Sequence, residues 1–260
     1  MHDANLTDAQ LLESLEQQYG RTFDLRQSPE LRLHEAAFRR LLRAGRIARV
    51  GRGVLTILER PQLLAEDPLR LATAPFGDVR HYVSWRAALS RHDLTEQDPL
   101  TISVATLRRR HGRRIGDLKV RPVFQSPARF YGYQTVRSTS GAPIKIATAE
   151  KAIIDSLDRP DLAGGLPEVV KALGRREAYD PVELVKMAAR YPSAATVQRL
   201  GHLMSTLGVG DPTPLRSRVR RKGPPVLLDL VDPETPGTLD STWRVADNVG
   251  PTRLTEWMDR

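Results

Sequence analysis

The apolar positions fall first into a helical pattern. Leu11, Leu12, Leu15 and Tyr19 recur at the three-and-four spacing that puts side chains on one helix face, so residues 7–19 are expected to form an amphipathic helix. Thr7 stands where a cap belongs, Gln10 at the reciprocal box position, and Gly20 follows the last turn. Residues 21–33 show no clear period. A trihelical unit needs a short second helix here, and Ser28 before Pro29 offers a cap with proline at the first helical position. Whether that helix ends near Leu33 or runs on is not written in the pattern. From 34 to 44 the helical period returns. Phe38, Leu41 and Leu42 point inward with Ala37 beside them, while Arg39 and Arg43 share an outer face with Arg32 and Arg40 flanks them. Gly45 is a natural left-handed stop. Ile47, Val50, Val54, Leu55 and Ile57 then suit two short strands, and Gly51-Arg52-Gly53 a turn that lifts one arginine to its tip.

Residues 58–75, with Pro61, Pro68 and Pro75, read as a connecting segment with a short helical piece, which places a domain boundary at 75. Beyond it Ser84 is expected to cap a helix carrying Trp85, Ala88 and Leu89. Thr101–Ala105, Lys119–Phe124, Phe130–Val136 and Pro143–Ala147 read as strands following one another without helices between them, which argues for an antiparallel or mixed sheet. Four helices follow, begun by Thr148, by Pro167, by Asp180-Pro181-Val182-Glu183 as a capping box, and by Ser193 with Val197, Leu200, Met204 and Leu207 on one stripe. From 211 the chain is basic and proline-bracketed, with Val226–Leu230 and Thr242–Val245 as short strands and the rest loop-like. The expected fold class is α+β: an N-terminal winged helix-turn-helix over 1–75, then a larger mixed α/β domain over 76–260, sheet first and helices second.

Charge changes the picture. The 260 residues carry 40 Lys and Arg against 31 Asp and Glu, a net charge of +9, and mostly as arginine. That surplus favours a polyanionic partner, nucleic acid or an anionic membrane surface. No stretch is long and apolar enough to span a bilayer, and Asp3, Asp8 and Glu13 near the start leave no room for a hydrophobic leader. With no cysteine there is no disulfide, thiolate metal site or thiol nucleophile, which fits a cytoplasmic chain. No acidic residue lies between Glu35 and Glu59, whereas Arg39, Arg40, Arg43, Arg46, Arg49 and Arg52 do. A basic helix followed by a basic hairpin is the reading end of a winged helix, so these six arginines are the candidate DNA contacts. A second dense run, Arg108 to Arg121, reads as a loop between strands. It is a solvated loop, a second DNA contact, or a dock for an acidic partner.

Candidate chemistry is sparse. His2, His34, His81, His92, His111 and His202 are scattered, with no ligand spacing among them. Glu150, Asp155 and Asp158 are the carboxylates a nuclease would need, but they fall on different helical turns. Glu150 suits a helix N-terminus, and Lys151 with Asp155 makes an ordinary i,i+4 pair. There is no phosphate-cradling glycine loop, and no cofactor is called for.

The order of the motifs adds a resemblance. LLRAGRIARVGRGVLTI at 41–57, SWRAALSRHDL at 84–94, GAPIKIATAEKAIIDSL at 141–157 and the later LPEVVKAL, DPVELVKMA and TVQRLGHLMSTLG together resemble the AbiEi antitoxins of abortive-infection AbiE systems, over about residues 7–210. One departure is Leu55, where such wings often carry an aromatic residue. The segment after 211 has no counterpart. The resemblance implies a non-enzymatic protein with two roles. A winged helix binds double-stranded DNA at inverted repeats upstream of its own operon and represses it, and the larger domain counteracts a cognate toxin similar to nucleotidyltransferases. By carry-over, Arg39, Arg40 and Arg43 lie on the recognition helix and Arg46, Arg49 and Arg52 on the wing. The alternatives are a plain DNA-binding regulator, or a toxin-binding protein with no DNA role.

Overall fold

The computed structural model describes residues 7–27, 31, 34–44, 46–51, 53–58, 67–77, 79–115, 118–138, 141–231 and 233–259. The expectations for Ser28-Pro29, Arg32, Gly45, Arg52 and Pro61 lie outside these residues. The fold is α+β, with helices and three separate sheets. Its residues gather into two compact units that interleave in sequence. One comprises Met1–Val83, Leu100–Phe124 and Thr135–Ile146, the other Ser84–Pro99, Gln125–Gln134 and Ala147–Arg260. The break expected at 75 falls inside the first unit. The reason lies in α3 (Pro68–Thr73), which packs on strands from later in the chain, while its buried Arg70 donates Nη2–H back to the Thr22 carbonyl at 2.7 Å.

In the first unit α1 (Asp8–Tyr19) forms as the pattern predicts. The Gln10 N–H donates to Thr7 Oγ1 at 3.3 Å, the Thr7 N–H donates to Gln10 Oε1 at 3.0 Å, and Gly20 turns the chain at φ 79°. The unassigned stretch after it holds a strand, β1 (Thr22–Asp24). Helix α2 (Glu35–Arg43) precedes the hairpin of β2 (Ile47–Gly51) and β3 (Val54–Ile57). These strands form a three-stranded antiparallel sheet in the order β1-β3-β2, with a bulge between Arg49 and Gly51. Thr22 and Thr56 face each other in register and share a buried hydroxyl–hydroxyl bond of 2.9 Å. Leu11, Leu15, Phe23, Phe38, Leu41 and Ile57 form the core between α1, α2 and this sheet, with the Phe23 and Phe38 rings 5.7 Å apart.

The larger sheet comprises β4 (His81–Val83), β5 (Thr101–Thr106), β6 (Arg113–Ile115), β7 (Leu118–Phe124), β8 (Tyr133–Arg137) and β9 (Pro143–Ala147), in the order β6-β7-β5-β4-β9-β8. It is mixed: β5 runs parallel to β7 and β4 to β9, while β4 with β5 and β6 with β7 are antiparallel. Part of the basic run expected as a loop is therefore the edge strand β6, with Arg114 exposed and Ile115 buried in alternation.

The second unit contains α4 (Arg86–Arg91), α5 (Ala149–Asp158), α6 (Leu166–Gly174), α7 (Pro181–Ala189) and α8 (Ala194–Leu207). Thr148 and Ser193 cap their helices as the sequence predicts. Ser84 does not. Its hydroxyl donates to Asp155 at 2.8 Å, and the residue at the cap of α4 is Trp85, held at φ 56° with its Nε1–H donating to the Asp155 carbonyl at 2.9 Å. The Asp180 box is half formed. Its carboxylate accepts from Val182 N–H, but the Asp180 N–H donates to Glu150 on α5 rather than to Glu183. The segment after 211 is more ordered than its loop-like sequence suggests. It forms β10 (Val226–Leu227), β11 (Thr238–Asp240), β12 (Val245–Asp247) and α9 (Pro251–Met258), and it buries Leu215, Leu228, Trp243 and Leu254. The Trp243 ring lies 2.3 Å from where a Cβ on Gly201 would stand, so only glycine fits there.

Lys151 and Asp155 form no ordinary surface pair. Both side chains are wholly buried and hydrogen-bonded to each other on α5, with Ser84 as Asp155's second partner and the Tyr131 and Tyr191 rings within 5.3 Å of the ammonium. Burial pulls Lys151 below its ordinary pKa against the attraction of Asp155. Removing one partner strands the other charge. Asp155→Ala is therefore expected to destabilise the protein by about 3–5 kcal/mol, whereas Lys151→Met with Asp155→Leu costs much less; urea unfolding of the three proteins measures the difference.

His202 on α8 ties down the C-terminal segment. Its Nδ1 lies 2.8 Å from Asp240 and its Nε2 3.3 Å from Asp247. Burial pushes the Asp240 carboxyl up, but the His202 bond and the Trp243 and Thr242 N–H groups outweigh it and hold the pKa below the usual range. A carboxyl whose folded pKa is depressed stabilises the fold above its unfolded value and loses that contribution as pH falls through the folded one. Below about pH 4 the segment from 211 to 259 is expected to become protease-sensitive before α5–α8 do. Asp240→Asn removes its share of that pH dependence, and cleavage unchanged by acid refutes the role.

Candidate nucleic-acid interface

Helix α2 buries Phe38 and Leu41 and turns Arg39, Arg40 and Arg43 to solvent, as its period requires. No side chain caps its start, and the Ala44 N–H closes its end on the Arg40 carbonyl at 2.9 Å. Two of the three arginines have acidic neighbours, Glu35 exposed and Asp8 half-buried. Arg39 bridges to Glu35 one turn earlier at 2.7 Å, and Arg40 reaches Asp8 at the start of α1, with Nε 3.1 Å from Oδ1. The Arg40 hydrogen bond holds the Asp8 carboxyl below the usual carboxylate range. Arg43 donates Nε–H to the Arg39 carbonyl at 3.4 Å. Exposed pairs of this kind contribute little to stability and exchange readily for another anion.

The strands carry the next two candidates. Arg46 is exposed just before β2, its N–H bound to the Leu41 carbonyl at 2.9 Å and its carbonyl accepting from Leu58 at 2.7 Å. Arg49 is exposed on β2 opposite Leu55. Five of the six predicted arginines thus lie on α2 and at or within β2 and are exposed. Arg52, the sixth, lies outside the described residues.

The structure also shows cations that the sequence pattern did not single out for this region. Asp24, at the end of β1, has a side chain only 1% exposed. It accepts from the Arg26 backbone N–H at 3.0 Å and from Arg26 Nε at 2.8 Å, and Arg113 Nη1 on β6 stands 3.9 Å away. The hairpin turn is attached to the same place, because the Leu25 N–H donates to the Gly53 carbonyl at 2.8 Å. Ile115 of β6 packs 3.7 Å from where a Gly51 side chain would begin. Arg26, Arg113 and the hairpin therefore meet around one buried carboxylate. Their separation in sequence, almost 90 positions, is what hid them. The one available signal was an aspartate in an otherwise apolar TFDL run.

Asp155, the best-placed carboxylate for a nuclease, is fully buried against Lys151. Among the described residues, no group of three His, Asp or Glu side chains is placed to hold a metal ion, and no helix is long and apolar enough to cross a membrane.

No family model matches the chain, and no curated protein matches it in sequence. Among solved structures it is similar to the RV2827C protein from Mycobacterium tuberculosis, with a TM-score of 0.61 and 13% identity over 99% of this chain and 97% of that one. At that identity the likeness concerns the fold alone, and it extends over nearly the whole of both chains.

Proposed function

We propose that the protein is a DNA-binding autorepressor whose N-terminal residues act as a winged helix, and that it serves as the antitoxin partner of a nucleotidyltransferase-like toxin. The observation that carries the first half is the arrangement of α1, β1, α2 and the β2–β3 hairpin, with β1 paired to β3 and an arginine-bearing helix directly before the hairpin. That order supports the winged-helix reading; the short second helix such a unit needs would fall between β1 and α2, where residues 28–30 and 32–33 lie outside those described. The arginines stand on its solvent face rather than in its core.

In this reading α2 enters the major groove, and one or two of Arg39, Arg40 and Arg43 read base edges. Each good bidentate pair discriminates by about 1–3 kcal/mol. Arg46, Arg49 and Arg52 contact phosphates or the minor groove and fix the register. Glu35 and Asp8 neutralise two of the helix arginines until phosphate or guanine replaces them. Arg39→Ala with Arg43→Ala is expected to abolish the specific gel shift on the DNA upstream of the protein's own gene, and unchanged binding sinks the assignment. The fold is expected to survive, because both side chains are exposed.

The second half rests on the ordered motifs shared with AbiEi antitoxins. The sheet-then-helices sequence is consistent with it. Co-expression decides it. The neighbouring reading frame is expected to arrest growth alone and to be tolerated with this chain. A neighbour harmless on its own leaves a plain regulator.

A further inference from the structure

Beside the turn between β2 and β3, the first unit has a cleft of about 240 Å³ whose walls include Asp24, Arg26, Gln27, Phe76, Val79 and Arg110. Its position follows from backbone contacts. The Leu25 N–H is bound to Gly53 of the hairpin turn, and Arg26 Nε lies 3.8 Å from where a Gly53 side chain would begin. The chain bends tightly into the cleft at Gly77, with φ 52° and Gln27 Cγ only 2.9 Å from where a Cβ would stand.

The chemistry of the cleft is lopsided. Two arginines line it, Arg113 Nη1 stands 3.9 Å from Asp24, and Asp24, the one carboxylate among the described lining residues, already accepts three hydrogen bonds from Arg26. Among the described residues, two guanidinium groups of the lining and the nearby Arg113 are set against the one carboxylate of Asp24. Arg26 holds Asp24 with its Nε and one Nη, and its side chain is still half exposed. Arg110 is exposed and lies over the Phe76 ring at 5.6 Å, which orients it without neutralising it. The His81 ring lies tilted 5.2 Å from Phe76. Burial brings its pKa down to about 4, so it adds no charge, and its Nδ1–H donates to the Val79 carbonyl at 2.6 Å. Burial, then the neighbouring Arg26 charge, lowers the pKa of Arg113 against the pull of Asp24.

We propose that this cleft seats one phosphodiester of the DNA backbone, gripped by Arg26 and Arg110 beside the hairpin turn. The proposal rests on the DNA-binding reading and adds to it a contact outside the helix-and-wing arginines. An arginine fork matches the paired oxygens of a phosphate. At about 30 Å³ per water, the volume leaves room for the group and part of its hydration. A phosphate here fixes the hairpin along the backbone without reading sequence, and it gives the basic run before β6 a task that its distance from α2 in sequence conceals. Free phosphate and nucleotides share this chemistry, and the experiment separates them from DNA.

Binding of the full chain to its own upstream DNA is measured across a salt series for the wild type, Arg110→Ala, Arg110→Glu and Lys119→Ala. Arg110 is exposed and takes no part in the hydrogen bonds of Asp24, so these variants are expected to fold. Arg110→Ala is expected to lower the log–log salt slope by about 0.9, one phosphate, with equal loss on specific and non-specific DNA. Arg110→Glu weakens binding further, and Lys119→Ala, on the exposed face of β7, leaves the slope alone. A wild-type slope in Arg110→Ala overturns the cleft proposal while Arg39→Ala with Arg43→Ala still weakens binding. If the α2 pair has no effect either, the DNA reading itself has failed. Inorganic phosphate and a mononucleotide are titrated in parallel, followed by the arginine side-chain N–H resonances. Saturable binding that needs Arg110, together with an unchanged DNA slope, assigns the cleft to a free anion and overturns the DNA source.

Discussion

Asp24 is the carboxylate on which the basic side of the first unit depends. It is buried at the end of a three-residue strand in a chain with nine surplus positive charges, and an isolated charge in that position would be costly. Arg26 satisfies it from two positions further on, and Arg113 approaches from a strand almost ninety residues later. The hairpin turn hangs from the adjacent residue through the Leu25–Gly53 bond. One anion thus fixes where three basic segments meet: the loop after β1, the hairpin, and the edge of the larger sheet. Without it, like charges would drive these segments apart.

The local elements were largely legible in the sequence, because helical period and caps act over a few residues. Leu11, Leu12 and Leu15 with the Thr7–Gln10 box specify α1 without help from elsewhere, and Phe38 and Leu41 fix which face of α2 carries arginine. What was not legible depends on partners remote in sequence. β1 is too short to show alternation and exists because β3 pairs with it. Ser84 looks like a cap but bonds to Asp155, seventy-one positions away, and Glu150 supplies the acceptor that Glu183 was expected to give. The segment after 211 has too few apolar residues to show a period, yet Trp243 finds its place against Gly201, and Asp240 and Asp247 find His202. The interleaving of the two units has the same origin. The first unit gathers β4, β5, β6 and β7, which pair with one another across long stretches of sequence, whereas proline and charge mark only local changes along the chain.

The second unit is built on a different use of charge. Lys151 and Asp155 are out of water altogether, and each is held by groups from several elements: Ser84 and Trp85 before α4, Tyr131, and Tyr191 after α7. Such a pair adds less to stability than its Coulomb energy suggests, because both ions have lost their hydration. Its effect is on arrangement. The two carboxylate oxygens of Asp155 take Lys151 and Ser84 and its carbonyl takes Trp85, so α5 and the residues before α4 pack in one way where an apolar contact would tolerate several. A carboxylate used in this manner has no open face for a metal or a substrate, which is the physical reason that Asp155 belongs to the frame of this unit.

The contrast between buried and exposed pairs bears directly on how the proposed DNA surface would work. Asp24 and Asp155 cannot give up their partners without leaving a charge in the interior, so Arg26 must bind any further anion with the donors that Asp24 leaves over. Glu35 and Asp8 are under no such constraint. Glu35 is exposed and Asp8 half-buried at the surface, both hold an arginine of α2 by contacts open to water, and loss of the partner costs them only a return to hydration. Their role is to orient Arg39 and Arg40 and to lower the local charge while nothing is bound. A phosphate or a guanine edge would then compete against a weak pair, and screening by salt weakens the pair and the phosphate contact together. The arginines best suited to exchange partners are therefore those on α2, and those suited to set a fixed position are the ones gathered around Asp24.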